Sequence, residues 1–208
     1  MHSIDASSAI RVCVLGEWIP AQLAEVLALQ RAEEPETVVM LIGGTVAEAS
    51  QHPPDENRDF VISTSIRQWS GWKSEPLWHD ALAVAVPKRS HLLAFREIPW
   101  QEALKQPFVG AQSATQEGWW PAVEHVLTNA RHEHMHTVAS MDLAMTLVAA
   151  GYGITIAPSA RLSSYLHRGV ALRRLSGASP TTTAYLLRPD GPLTEPHARF
   201  AQRIHSVA

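Results

Sequence analysis

Three histidines alternate in the run RHEHMH, which spans Arg131 to His136. On a strand, a period of two would put His132, His134 and His136 on one face, and imidazole suits zinc or copper. No HExxH or Cys/His spacing accompanies them, so the run reads as a polar strand edge and no metal ligand is expected. The single cysteine, Cys13, lies inside an apolar run and reads as a buried, inert thiol. Serines, histidines and aspartates are present without a GxSxG elbow. Neither GxGxxG after the first strand nor GxxxxGK[ST] occurs. The expectation is therefore no catalytic residue, no cofactor and no enzyme activity. The chemistry that remains is non-covalent, and its best candidate is Ser140. A serine opening a helix offers a hydroxyl beside backbone N–H groups that have no helical acceptor, which suits an anion.

The element that must position Ser140 is the stretch SMDLAMTLVAAGYGITIAP, Ser140 to Pro158. Ser140 caps the helix, and Asp142 in its first turn suits the positive end of the dipole. Leu143, Leu147, Val148 and Ala150 recur at helical spacing and are expected to form its buried face. Gly151 and Gly153 stop the helix. Ile154 to Ala157 follow as a short buried strand that Pro158 ends.

The rest of the chain alternates strands and helices. Strands are expected over 10–15, 37–42 and 59–62, with a helix over 23–33 and a short one over 46–51. Residues 66–76 read as a loop, and 78–87 as an extended segment passing from one sheet to another. Further strands are expected near 107–110, 132–138, 170–172 and 181–187. Helices are expected over 99–104, 119–129 and 194–207, the last with Ala198, Ala201, Ile204 and Val207 inward. Such an order implies parallel sheets with ligands beyond the carboxyl ends of the strands. The architecture expected is α/β with two Rossmann-like lobes joined by two crossover strands. One lobe takes residues 1–85 and 187–208, and the other takes 86–186.

Composition narrows the class. The 208 residues are 46% hydrophobic, enough for proper cores. Acids outnumber bases 20 to 17 with no basic run, so the chain as it stands does not read as a nucleic-acid surface. One cysteine excludes an internal disulfide and fits a reducing compartment. The first twelve residues, MHSIDASSAIRV, lack the layout of a secretory signal, and no apolar run reaches transmembrane length. A cytoplasmic protein away from the membrane is expected. The seven tryptophans read mainly as core and interface anchors.

VAAGYGITIAP, Val148 to Pro158, resembles the "VAAGxGIxxxP" segment of the effector-binding domain of LysR-type transcriptional regulators. DFVI, LWHDALAVAVPKRSHLLA and IPWQEALKQPFV are similar to that family's other segments, in the right order, with Leu92 where proline is usual. The resemblance covers nearly the whole chain. It implies a type 2 periplasmic-binding-protein-like fold and a cytoplasmic sensor that binds a small organic effector, anionic or aromatic, between its lobes. It also implies homodimers or homotetramers, with the helices at 23–33 and 119–129 as candidate contacts. DNA would be bound only through an N-terminal winged helix-turn-helix, and no such pattern precedes Ile10. The alternative is a free-standing solute-binding protein of a transporter.

The ligand contacts expected are strand ends and helix starts. Trp18 and Ile19 follow the first strand, Gly44 and Thr45 the second, and Thr64 and Ser65, with Ser63 before them, the third. Gln112 and Ser113 follow the 107–110 strand, Ser140 and Met141 open the central helix, and Pro158 shapes a wall.

Overall fold

The computed structural model describes residues 9–51, 58–65, 68–129, 134–177 and 180–207. The chain forms two compact units, one from residues 1–78 and 183–208, the other from 79–182 inserted into it. The division falls at Trp78/His79 and Thr182/Thr183, N-terminal to the points expected from sequence.

In the first unit, β1 (Ile10–Leu15) lies between β2 (Val39–Gly44) and β3 (Phe60–Ser63), parallel to both. The chain then enters β4 (Trp72–Pro87), and β10 (Thr181–Pro189) returns to pair antiparallel with β3. Helices α1 (Gln22–Glu33), α2 (Val46–Gln51) and α7 (Glu195–Ser206) complete this unit. The period-two rule sorts β1 between two cores. Ile10, Val12 and Val14 pack with Leu23 and Val26 of α1 and with Phe200 and Ile204 of α7. Cys13 and Leu15 pack with Val46 and Ala49 of α2. Cys13 is fully buried, as its place in the strand implies.

Three expectations change here. The TVVMLI run is not a buried strand: β2 starts at Val39 and ends the sheet, leaving Met40 47% and Leu41 52% exposed. Residues 72–76, expected in a loop, already belong to the sixteen-residue β4. In α7, Ala198 is exposed and Phe200 takes the inward place, while Arg203 is buried beside Ile204.

That buried arginine is why the amphipathic reading of α7 drifted. Arg203 donates to Gln30 at 2.7 Å, to Glu34 at 2.7 Å and to Glu33 at 2.6 Å, all on or just after α1. A buried guanidinium is tolerated when its donors are taken by planar acceptors. Gln30 is buried for the same reason.

The second unit begins in β4. Its strands run β5 (Glu97–Ile98), β9 (Val170–Leu175), β4 and β8 (Thr155–Pro158) in lateral order, with β9 parallel to β5 and antiparallel to β4. A parallel bridge from Phe108 to Ile154 joins β8 to β6 (Phe108–Ala111), which pairs parallel with β7 (Met135–Val138). Helices α3 (Trp100–Ala103), α4 (Trp120–Asn129), α5 (Met141–Ala150) and α6 (Ser159–Ser163) surround these strands. Trp119 and Trp120 meet edge to face at 6.0 Å, and Trp120 lies 6.2 Å from Phe108, so both indoles anchor the core.

The central helix is bounded as its sequence implies, from the Ser140 cap to Gly151 at φ +90°. Its buried face differs. Met141, Ala144, Met145 and Val148 point inward, whereas Leu143 is 52% exposed and Ala150 is exposed. MDLAMTLVAA is apolar nearly all round, so spacing alone cannot choose a face, and the strands beneath decide. Gly153 does not serve as a left-handed stop. A Cβ there would lie 2.3 Å from the Pro107 carbonyl oxygen, so glycine is required by the close approach of two backbones. The Ile154 N–H donates to that same oxygen at 2.9 Å.

Candidate functional site

In the second unit, Ala111 of β6 is in register with Val138 of β7. The two strands therefore release the chain at the same end, and the polar residues that follow come together. Gln112 and Ser113 open a turn of 3₁₀ helix, and Ser113 N–H donates to Ala139 O at 3.3 Å. Ser140 is extended at φ −134°, and its Oγ accepts from Leu143 N–H at 3.5 Å, a long and weak cap. Its carbonyl accepts from Ala144 N–H at 3.1 Å, which starts α5. The N–H groups of Met141 and Asp142 lie in the first turn, with no carbonyl one turn earlier to meet them.

The charge at this helix start is arranged unexpectedly. Asp142 would repel an anion, but Arg168 Nη1 lies 2.7 Å from its Oδ1 and neutralises it. Arg168 and Arg161 both sit over the Tyr165 ring, at 5.3 and 5.6 Å. Burial, together with the nearby Asp142 carboxylate, pushes the Tyr165 phenol above its ordinary range. Sequence reasoning missed this cluster because nothing in the chain links Asp142 to residues so far along it.

The start of α6 differs from that of α5. There Asp80 Oδ2 accepts from Ala160 N–H at 2.8 Å, so the protein's own carboxylate occupies the helix end. Burial pushes the Asp80 carboxyl up, against the two backbone N–H groups of Ala160 and Ala81 that favour its charged form. At the Ser140 start the nearby carboxylate, Asp142, is instead paired with Arg168.

Not every expected contact is available. Met141 is buried in the core, so only its backbone can meet a ligand. Pro158 is buried in β8 opposite Leu82 and can act only as a wall. In the first unit, Trp18 is 4% exposed and packed in a core cluster with Ile10, Val14 and Phe60. Ile19 beside it is 64% exposed. Gly44 ends β2, and a Cβ there would lie 2.9 Å from Leu15 Cδ2. Thr45 is exposed, and its carbonyl accepts from Ala49 N–H to begin α2. Thr64 is buried after β3, and half-buried Ser65 donates its N–H to Ser63 Oγ at 3.1 Å. Because β1, β2 and β3 are parallel, Ile19, Thr45, Thr64 and Ser65 belong to one end of that unit's sheet.

His134 and His136 are exposed, and His132 lies outside the described residues. Among the described residues no group of three or more His, Cys, Asp or Glu side chains could hold a metal ion. Among them, too, no helix is long and apolar enough to cross a membrane.

Both units thus carry small polar residues at the carboxyl ends of parallel strands, and the model of the LysR substrate binding domain matches residues 5–208. The chain belongs to that family. Its fold is accordingly the type 2 periplasmic-binding-protein-like fold, and the domain is a regulatory, effector-sensing one rather than an enzyme. Solved structures agree on the fold. The BenM effector-binding domain with its effector benzoate is 17% identical with a TM-score of 0.83, over 96% of this chain and 91% of that one. The effector-binding domain of QuiR in complex with shikimate is 16% identical with a TM-score of 0.77, over 95% of each chain. Full-length CbnR complexed with its target DNA is 17% identical with a TM-score of 0.78, over 96% of this chain and 70% of that one. No curated protein matches the chain. LysR membership favours the regulatory reading over a free-standing transporter component.

Proposed function

We propose that this LysR effector-binding domain senses a small organic anion, and that the anion's carboxylate sits at the start of α5. The observation that carries the reading is the Ser140 helix start. Its first-turn N–H groups and hydroxyl stand beside Gln112 and Ser113, while Arg168 cancels the charge of Asp142. Helix N–H groups and the dipole favour an anion there. Benzoate and shikimate, bound by BenM and QuiR, are both carboxylates, which supports the ligand class. Ile19, Thr45, Thr64 and Ser65 are proposed as candidate contacts at the strand ends of the first unit, with Ile19 offering apolar surface.

Effector binding acts by favouring one arrangement of the domain over another, which requires unequal affinity for the two. A second copy of the chain is the proposed partner, in homodimers or homotetramers, with α1 and α4 as contact helices. The domain works in the cytoplasm and adjusts the DNA binding of a winged helix-turn-helix segment in the parent protein.

A thermal-shift screen of carboxylates, beginning with benzoate and shikimate, tests this. A ligand at 100 times its Kd stabilises the fold by about 2.7 kcal/mol, which raises Tm by roughly 5–10 °C for a chain of this size. The S140W variant should abolish the shift given by the wild-type ligand. A ligand whose shift survives S140W binds elsewhere, and the reading fails.

A further inference from the structure

The second unit carries an arginine-lined cavity on the far side of its sheet from the α5 site. The strands run β7, β6, β8, β4, β9, β5, so three strands separate the β6 end at Gln112 from the β9–β5 border. At that border the pairing stops at Glu97 and Arg174. The preceding residues pull away from β9 and leave a cavity of about 690 Å³ between Leu93–Glu97 and Leu172–Arg174.

Three arginines are among its lining residues: Arg96, Arg173 and Arg174. Arg173 is half-buried and fixed, donating through Nε to Phe95 O at 3.1 Å and through Nη1 to Leu172 O at 2.9 Å. Carbonyls orient it without cancelling its charge. Arg96 and Arg174 are exposed, and among the described residues neither guanidinium has an ion pair or hydrogen bond. Glu97 is the sole carboxylate of the lining. Three positive groups around one cavity stand out in a chain of net charge −3. Three arginines against one carboxylate leave the lining with a net positive charge, and the arrangement favours a ligand with several anionic oxygens.

We infer that this cavity is a second, independent site for a small polyanion with phosphate-type oxygens. Guanidinium groups match such oxygens with paired N–H donors. Arg173 is the preformed element, and Arg96 and Arg174 close on the ligand from the two walls. A site of this kind would let a phosphorylated metabolite influence the domain without competing for the α5 site.

Titration calorimetry with inorganic pyrophosphate, at constant ionic strength, tests the inference on the whole chain. Saturable binding of one pyrophosphate per chain is expected. Each of R96Q and R174Q should weaken it about tenfold, the scale of one lost charge-assisted hydrogen bond. E97Q, which removes the opposing carboxylate, should tighten it. R31Q changes the chain's charge equally but lies on α1 in the other unit, so it should leave Kd unchanged. S140W should also leave it unchanged, which separates this site from the effector site. Absence of saturable binding overturns the inference. So does equal weakening by R31Q and R174Q, or binding of an acidic peptide where pyrophosphate gives none.

Discussion

Arg203 Nη2 donates to Glu34 Oε1 at 2.7 Å, tying the last helix of the chain to the end of α1. Arg199 donates to the same carboxylate oxygen. Hydrogen bonds from Arg199 first, then Arg203, hold the Glu34 carboxyl at about 2, well below its ordinary 4.5. A carboxyl depressed in the folded state contributes stability above its unfolded pKa and loses it as pH falls through the folded value. The window is therefore from about 4.5 down to about 2. Urea midpoints measured across that window should fall with acid in the wild type, and less steeply in E34Q. Parallel slopes for the two proteins would remove Glu34 from the acid response.

Asp80 has the opposite sign. Burial raises its carboxyl, so the ionised form is a cost the fold carries at neutral pH. D80N keeps an oxygen for the Ala160 N–H and removes the charge. Its stability at pH 7 should equal or exceed that of the wild type, with the gain vanishing in acid. D80A removes the acceptor and should lose about 1 kcal/mol, as for a lost cap. Urea denaturation of both variants reads the difference, and a D80N protein less stable than D80A would contradict this account of the residue.

Two glycines in one loop should answer differently to alanine. Gly151 is left-handed at φ +90° with open space around its Cβ position, so G151A costs the αL penalty of about 1–2 kcal/mol. At Gly153 an added Cβ meets the Pro107 carbonyl oxygen. Both atoms belong to fixed backbones, so G153A should cost more than G151A, with β6 and β8 forced apart. Equal urea midpoints would show that this junction yields.

The pairing of Asp142 with Arg168 predicts a contrast in effector binding. R168Q exposes the Asp142 carboxylate to the anion and should weaken a carboxylate ligand several-fold, while D142N should leave it unchanged or tighter. The partners are 49% and 62% exposed, so solvent and salt screen the effect, and it should shrink at higher ionic strength. Calorimetry with the best carboxylate from the thermal-shift screen provides the measurement.

Elements with a local cause were legible in the sequence, and those decided by distant partners were not. Ser140 as cap and Gly151 as stop follow from residue type and position alone. So does Cys13, since an apolar residue in the middle of a β-strand between two helical layers has nowhere else to go. The exposed Leu143, by contrast, belongs to a helix apolar on every side, and only β6 to β9 beneath it choose the face. Met40 and Leu41 read as core because a continuous apolar run is also the mark of a central strand; the position of β2 at the sheet edge is a tertiary fact. Arg203 inverts a rule, since its burial depends on Gln30, Glu33 and Glu34 far earlier in the chain. At the candidate site the polar strand ends were legible from the strand order. The burial of the Trp18 and Met141 side chains and the Arg168 counter-charge were not, because each depends on packing between elements that share no sequence signal.

The most direct test is a crystal structure of the domain with a carboxylate that raises its Tm. The carboxylate should lie within hydrogen-bond distance of Ser140 Oγ or of the N–H groups of Met141 and Asp142, with Gln112 and Ser113 beside it. A ligand seated with its carboxylate away from the start of α5 would contradict the account.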